Sequence, residues 1–582
     1  MRLFAAIIVW CALAVSCAAA SQPKEELQTT SGEAGRYGGR LVVGERAEPK
    51  TFNPVILTDA PSREVTGRIN ADLVHINRVT QKTEPALAKS WSISKDGTTF
   101  VLKLRKGIRF SDGQPFDADD VVFTFQVYLD EKLNSPNRDL LMVGGKPIKV
   151  EKIDPYTVRF HLAQPYAAAE RLFDNIAILP KHVLEHAYRE GKLEQSWGLN
   201  TSPAEIVGLG PFRLKQYVAG QKVVLERNPH YWKADSKGNR LPYLDEVAFV
   251  FVGNEDAQVL QFESGATDLI SRISPENFTL LSRDAAGRGY QLDDRGPSLE
   301  YNFLFFNLND VSSRNLPDIA AKQAWFRDLR FRQAVSAAVD RAAIVRLVYG
   351  GRGAALWSDV TPGNHLWADA NIPHNPRSVE YARELLKTAG YTWRSDGQLM
   401  DAMGHAVEFS IVTSSSNQQR IKMATLLQQD LAQLGMNVHV VPLEFRGLIN
   451  RVFQKFDYEA CILGLGGGDA DPNGEMNVWM SNGSTHIWNL GQNHPSTAWE
   501  AEIDQLMQKQ MVTMGFKRRK ALFDRVQELV AENLPMIFLA TPNVLTGAQP
   551  QVANFHPAVL DPYVLWNVDE MYLRPRGSSQ GQ

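Results

Sequence analysis

The residues of this 582-residue chain best suited to chemistry lie in the run Ile462-Leu463-Gly464-Leu465-Gly466-Gly467-Gly468-Asp469-Ala470-Asp471-Pro472-Asn473. An apolar, β-like segment leads into four glycines, and missing side chains let a ligand backbone approach closely. Asp469 is then placed to meet a cation. The plainer reading is a turn whose aspartates bond their own backbone. Trp479 and Trp488 follow within twenty residues and suit either a broad apolar cleft wall or ordinary core packing.

Other candidate chemistry is weaker. Asp117, Asp119 and Asp120 open a helix whose apolar face is Val121, Phe125, Tyr128 and Leu129, so capping and the helix dipole account for them without a metal. The aspartates lack calcium-loop spacing. His182 and His186 stand at helical spacing without the H-E-x-x-H glutamate and read as a solvated face. No G-x-S-x-G, S-x-x-K set or Walker A motif is present, which lowers a secreted hydrolase without removing it. Tyr349-Gly350-Gly351-Arg352-Gly353 follows a helix rather than opening one, so it reads as a helix stop.

The elements that must position these residues alternate between strand and helix. Gly38 to Glu45 is a glycine-bounded first strand, broken by the loop from Pro49 to Pro54. Ser90 to Ser94 and Thr98 to Leu104 form a hairpin across Asp96-Gly97. Further β runs are Thr157 to Leu162, Arg213 to Tyr217 and Lys222 to Glu226. Glu408 to Val412, a helix over Asn417 to Leu434 ended by Gly435, and Val438 to Val441 make a β-α-β unit, which implies parallel neighbouring strands. Two more helices run from Asp340 to Tyr349 and from Arg377 to Ala389.

At this length the chain holds several domains or a few large ones. The 65 acidic and 62 basic groups nearly cancel, giving a net charge of -3, so no overall field favours nucleic acid. Met1-Arg2, the apolar run Leu3 to Val15 and the small residues to Ala20 read as an export signal. Two cleavage sites compete: Ala18-Ala19-Ala20, releasing Ser21, and Ala14-Val15-Ser16-Cys17, a lipobox that would leave Cys17 acylated. Residues 21–36 would then be a tether. With Cys11 removed and Cys17 acylated, Cys461 stands alone and no intramolecular disulfide is expected.

An ordered series of motifs resembles the family 5 extracellular solute-binding proteins, the dipeptide and oligopeptide receptors of ABC importers. It comprises Leu87-Ala88-Lys89-Ser90-Trp91, Asp96-Gly97-Thr98-Thr99-Phe100, Leu104 to Gly113, Asp119-Asp120-Val121, Gly208 to Phe212, Glu226 to Trp232, Asp328 to Ala334 and Asp340-Arg341. The likeness spans Gly38 to Val568. It implies an α/β, bilobal periplasmic-binding-protein-like fold of class II type with an additional domain inserted in the first lobe. The first lobe would draw on residues 37–80, 204–297 and 544–582, the inserted domain on 81–203, and the second lobe on 298–543.

The resemblance also implies a peptide lying extended between the lobes, its backbone pairing like an added strand. Asp469 is the preferred partner of the ligand's ammonium, with Asp471 the alternative, Leu465 and Gly467 as backbone partners, and Thr58 on the opposite wall. Trp479 and Trp488 would be cleft walls, or stacking platforms for a sugar. The expected protein is a periplasmic or cell-envelope monomer, not an enzyme. It uses no cofactor or metal, touches the membrane only through a lipid anchor, and delivers its cargo to an ABC permease with its ATPase subunits. A secreted hydrolase, and a chaperone or signalling receptor on the same scaffold, are the competing classes.

Overall fold

The computed structural model describes residues 23–575 apart from 134, 175 and 467–469. Cys17, Gly467 and Asp469 therefore lie outside the described residues, as does the export segment.

The frame is one twelve-stranded mixed sheet. Its strands are β1 (Arg40–Glu45), β2 (Phe212–Val218), β3 (Lys222–Arg227), β4 (Glu246–Phe251), β5 (Leu269–Ser271), β6 (Gln291–Pro297), β7 (Glu300–Phe306), β8 (Gly353–Ala355), β9 (Glu408–Ser414), β10 (Asn437–Leu443), β11 (Ala460–Gly466) and β12 (Met536–Ala548). Their spatial order is β2-β3-β4-β1-β5-β12-β7-β11-β9-β10, with β6 and β8 also pairing with β12. The fold is therefore α/β with mixed parallel and antiparallel pairing, as expected.

Strand β12 joins the two lobes. Its first part, Met536 to Pro542, pairs antiparallel with β7 and β8, and its second part, Asn543 to Ala548, pairs with β6 and β5. The boundary drawn at 543/544 falls inside this strand. The boundary at 297/298 falls between β6 and β7.

Burial along β7 shows why the sheet holds. Six of its seven residues are buried, as expected of a strand covered on both faces. Because side chains alternate, Leu304 and Phe306 enter one core with Phe326, Phe409 and Leu427, while Tyr301, Phe303 and Phe305 enter another with Trp479, Trp488 and Phe538. The β-α-β unit forms as its period demands. β9 and β10 are parallel neighbours, bridged by α2 (Gln418–Ala432), which buries Met423, Ala424, Leu427 and Leu431 and is capped by Asn417. Gly435 turns the chain after it at φ +84°.

Residues 81–203 carry a separate four-stranded antiparallel sheet, Ala88–Ile93, Thr99–Leu104, Thr157–His161 and Lys149–Asp154 in that spatial order. The Asp117 capping box opens the helix Ala118–Leu129 beside it. The core of this segment is continuous with that of the first lobe: Phe100, Phe125 and Phe160 belong to one cluster with Leu41, Val247 and Phe249. Among the described residues no helix is long and apolar enough to cross a membrane.

Candidate functional site

Two segments expected to hold the ligand lie on different lobes. On the first lobe, the loop after β1 leads into α1 (Ala60–Ile69), opened by Asp59, whose carboxylate accepts from the Ser62 N–H at 2.9 Å. On the second lobe, the chain leaves β11 at Gly466 and is described again from Ala470. Ala470 packs with Ile76, Leu299 and Leu560, so the second-lobe loop touches the first lobe directly. Gln81 Nε2 donates to Gly363 O at 2.7 Å, Ala167 N–H to Met511 O at 2.7 Å, and Lys422 pairs with Glu276 at 3.2 Å, all across the lobe boundary. The lobes are therefore closed on one another.

A cavity of about 360 Å³ lies on the first-lobe side of this contact, lined among others by Thr58, Arg68, Asn70, His75, Arg78 and Trp566. That volume is within the range of small-ligand sites. Its wall carries both signs of charge, with Arg63, Arg68, Arg78 and Lys233 set against Glu64, Asp72, Glu84, Asp561 and Asp569. Ile76 and Leu560, which meet Ala470, are the chain neighbours of the lining residues His75 and Asp561.

The electrostatics are those of charges drawn out of water. Burial raises the Glu64 carboxyl above its usual range, opposed by Arg68 and helped by Asp561. Nearby Glu45 is pushed up to about 8 by burial and by Glu64. Burial also raises Asp174, against the pull of Arg78. Ligand atoms of Asp72, His75 and Asp174 lie within 4.8 Å of one another, a spacing that could hold a cation. Asp174, however, already accepts from the Ile76 N–H at 2.9 Å and pairs with Arg78 at 3.4 Å, so the group is an ion-pair network that ties the turn at 76–78 to the inserted segment.

The residues expected from the sequence separate. Thr58 is exposed and lines the cavity. Leu465, one residue before the end of β11, lies opposite Tyr301 with its side chain against the second-lobe core. Asp471 is corrected: it is 4% exposed and forms a two-pronged ion pair with Arg519 at 2.5 and 2.6 Å while capping the turn at Asn473, so its oxygens are committed to the scaffold. Trp479 and Trp488 are corrected likewise. Each is 1% exposed within the core; their indole N–H groups donate to Asp359 at 3.2 Å and Glu500 at 3.3 Å, so neither offers a face to a ligand.

Gly464 has a different use from the one its sequence suggests. A Cβ there would lie 2.3 Å from Arg420 Nη2, so the glycine clears room for the arginine that bonds Asn302 at 2.9 Å and Glu300 at 3.2 Å. Among the described residues nothing lies within 4 Å of where a Cβ on Gly466 would stand. Arg68, Asn70 and Arg78 were not singled out by the sequence. The available signal was Arg68 itself, a charge set among the buried positions Val65, Thr66 and Ile69 of α1.

Two α/β lobes share a crossing strand, and a cavity opens on the first-lobe side of their contact. The model of the bacterial extracellular solute-binding proteins, family 5, matches residues 82–486. The chain belongs to that family. It is 28% identical over 517 residues to a probable ABC transporter-binding protein of Deinococcus radiodurans, covering 85% of each chain. It is 25% identical to the oligopeptide-binding protein AppA of Bacillus subtilis, covering 91% of this chain and 92% of that one. The fold matches NikA from Brucella suis, solved in complex with Fe(III)-EDTA, with a TM-score of 0.76 at 21% identity over 92% of this chain and all of that one.

Proposed function

We propose that this protein is the substrate-binding component of an ABC importer, that it captures a peptide outside the cytoplasm, and that it releases the peptide chemically unchanged to the permease. The observation that carries the reading is the 360 Å³ cavity of mixed charge beneath the second-lobe loop, which suits a zwitterion with a polar backbone. The names of the Deinococcus radiodurans and Bacillus subtilis relatives support it.

Closure around the ligand removes water and so strengthens each charge contact in the cavity. Asp469, three residues beyond the exposed Gly466, is the proposed partner of the peptide's ammonium. Thr58 contacts it from the other wall. A monomer reaching the membrane through acylated Cys17 completes the reading.

Calorimetry and small-angle scattering with a panel of di- to oligopeptides test it, with mass spectrometry of the recovered peptide. Binding with compaction and an intact peptide is expected; no heat and no compaction, or cleaved peptide, overturns it. Asp469→Asn should weaken free-amine peptides about tenfold or more while leaving N-acetylated ones nearly unchanged, as a lost charge-assisted hydrogen bond implies.

A further inference from the structure

The sequence assigns residues 21–36 to a tether, and from residue 23 onward the structure corrects this. Gln28 and Thr29 pair in parallel with Lys233 and Ala234, and the N–H groups of Glu26 and Thr30 donate to Lys106 O and Ala234 O at 2.9 Å. Glu26 also pairs with Lys89 at 2.7 Å. Farther along, Asn554 Nδ2 donates to Glu33 O at 2.8 Å and the Tyr572 hydroxyl to the Glu33 carboxylate at 3.3 Å, while Leu27 packs on the first-lobe core. Residues 23–36 are therefore a strap that joins residues 81–203 to the body of the first lobe.

One side chain of the strap enters the cavity wall. Gln28 is half-buried and lines the same 360 Å³ cavity as Thr58, together with Ala86, Trp232 and Lys233. Its amide is held one way round. The buried Arg105 donates from Nε to Ala86 O at 2.6 Å and from Nη2 to Gln28 Oε1 at 3.2 Å, with its guanidinium 5.8 Å from the Trp232 ring centre. Because a guanidinium can only donate, it takes the amide oxygen and turns the NH2 group away. Gln28 Nε2 has no hydrogen-bond partner among the described residues and is not enclosed, unlike the spare atoms of Arg68, Asn70 and Arg78. Two N–H donors are left on a side chain that an occupant of the cavity can reach.

We propose that the strap is part of the binding site, with Gln28 donating from Nε2 to a main-chain carbonyl oxygen of the bound peptide. A peptide backbone must find partners for its polar groups when water leaves a cavity, and a neutral amide beside Ala86 and Trp232 supplies one. Such a bond reads the backbone and not the side chains, so it raises affinity alike for peptides of different sequence. The inference rests on the peptide reading and adds to its site a residue that precedes the first strand of the first lobe.

Thiol labelling and calorimetry test it. In a chain starting at Ser21, Cys461 is the one native thiol and is fully buried, so Gln28→Cys adds a single reactive site. A maleimide should label that site readily in free protein and at least tenfold more slowly at saturating peptide. Thr29→Cys, on the exposed neighbour, should label at one rate with and without peptide. Gln28→Glu keeps an acceptor for Arg105 and removes the donor, so calorimetry should show peptides of different side-chain composition weakened by a similar factor, about two- to tenfold. Labelling at position 28 that ignores bound peptide, or unchanged affinity in Gln28→Glu, overturns the role of the strap and leaves the peptide reading intact. If the wild type binds no peptide at all, the peptide reading falls and the role of the strap falls with it.

Discussion

Asp471 and Arg68 are both buried charges beside the lobe contact, yet they are opposite in kind. Asp471 meets a bidentate Arg519 and caps a turn, whereas Arg68 holds one 3.3 Å ion pair and an orphaned Nε. A buried ion with complete partners belongs to the scaffold, because breaking it strands its counterion. A buried ion with a donor left over carries a desolvation cost that its own partners do not fully offset. Depth is alike in the two regions, and the completeness of the partners separates them.

The largest test of that contrast is Asp471→Asn, which leaves Arg519 buried without its carboxylate and should cost about 3–5 kcal/mol of stability in urea unfolding. Arg68→Gln removes a single 3.3 Å ion pair and no cap, so it should cost clearly less than Asp471→Asn, and a comparable loss at both positions would erase the distinction. Trp479→Ala, a deletion in the core, should also cost about 3–5 kcal/mol while the affinity of the folded fraction for peptide stays unchanged. A selective loss of ligand would return the indole to the cleft.

A smaller effect concerns pH. Glu475, which accepts from the Tyr301 hydroxyl at 2.9 Å, is pushed up to about 7 by burial and by Asp359. The folded protein then keeps a proton that the unfolded chain releases near its ordinary value of 4.5. The stability this proton confers is complete at acid pH and is lost as pH rises from roughly 4.5 to 7. Urea midpoints at about pH 5 and pH 7.5 should converge in Glu475→Gln. Smallest of all, Thr58→Ala removes one hydroxyl from an exposed loop and should weaken peptide binding about two- to tenfold, read by calorimetry.

Much of the architecture was legible because it is local. The Asp96-Gly97 hairpin, the Asp117 cap and the β-α-β unit ended by Gly435 each depend on residues a few positions apart, and each forms at its expected place. The site was less legible because its decisive partners are distant. Asp471 is 48 positions from Arg519, and Trp479 is 120 from Asp359, so spacing could not tell a ligand carboxylate from a buried pair, or a cleft wall from a core. Arg68 was hidden for the opposite reason: with Glu64 one turn away, it looks like any exposed helix pair. The merging of residues 81–203 into the first-lobe core was equally invisible, since Phe100 and Leu41 meet only after the chain returns.

The placement of β12 also governs the order in which the molecule can be completed. It is the inner strand on which both halves of the sheet depend, yet it is encoded at residues 536–548 of 582. A nascent chain growing from its N-terminus can finish neither half until synthesis is almost over, because long-range strand pairing waits for its last partner. Maturation is therefore late and shared by both halves, and a truncation that removes β12 should leave no half-molecule able to mature alone.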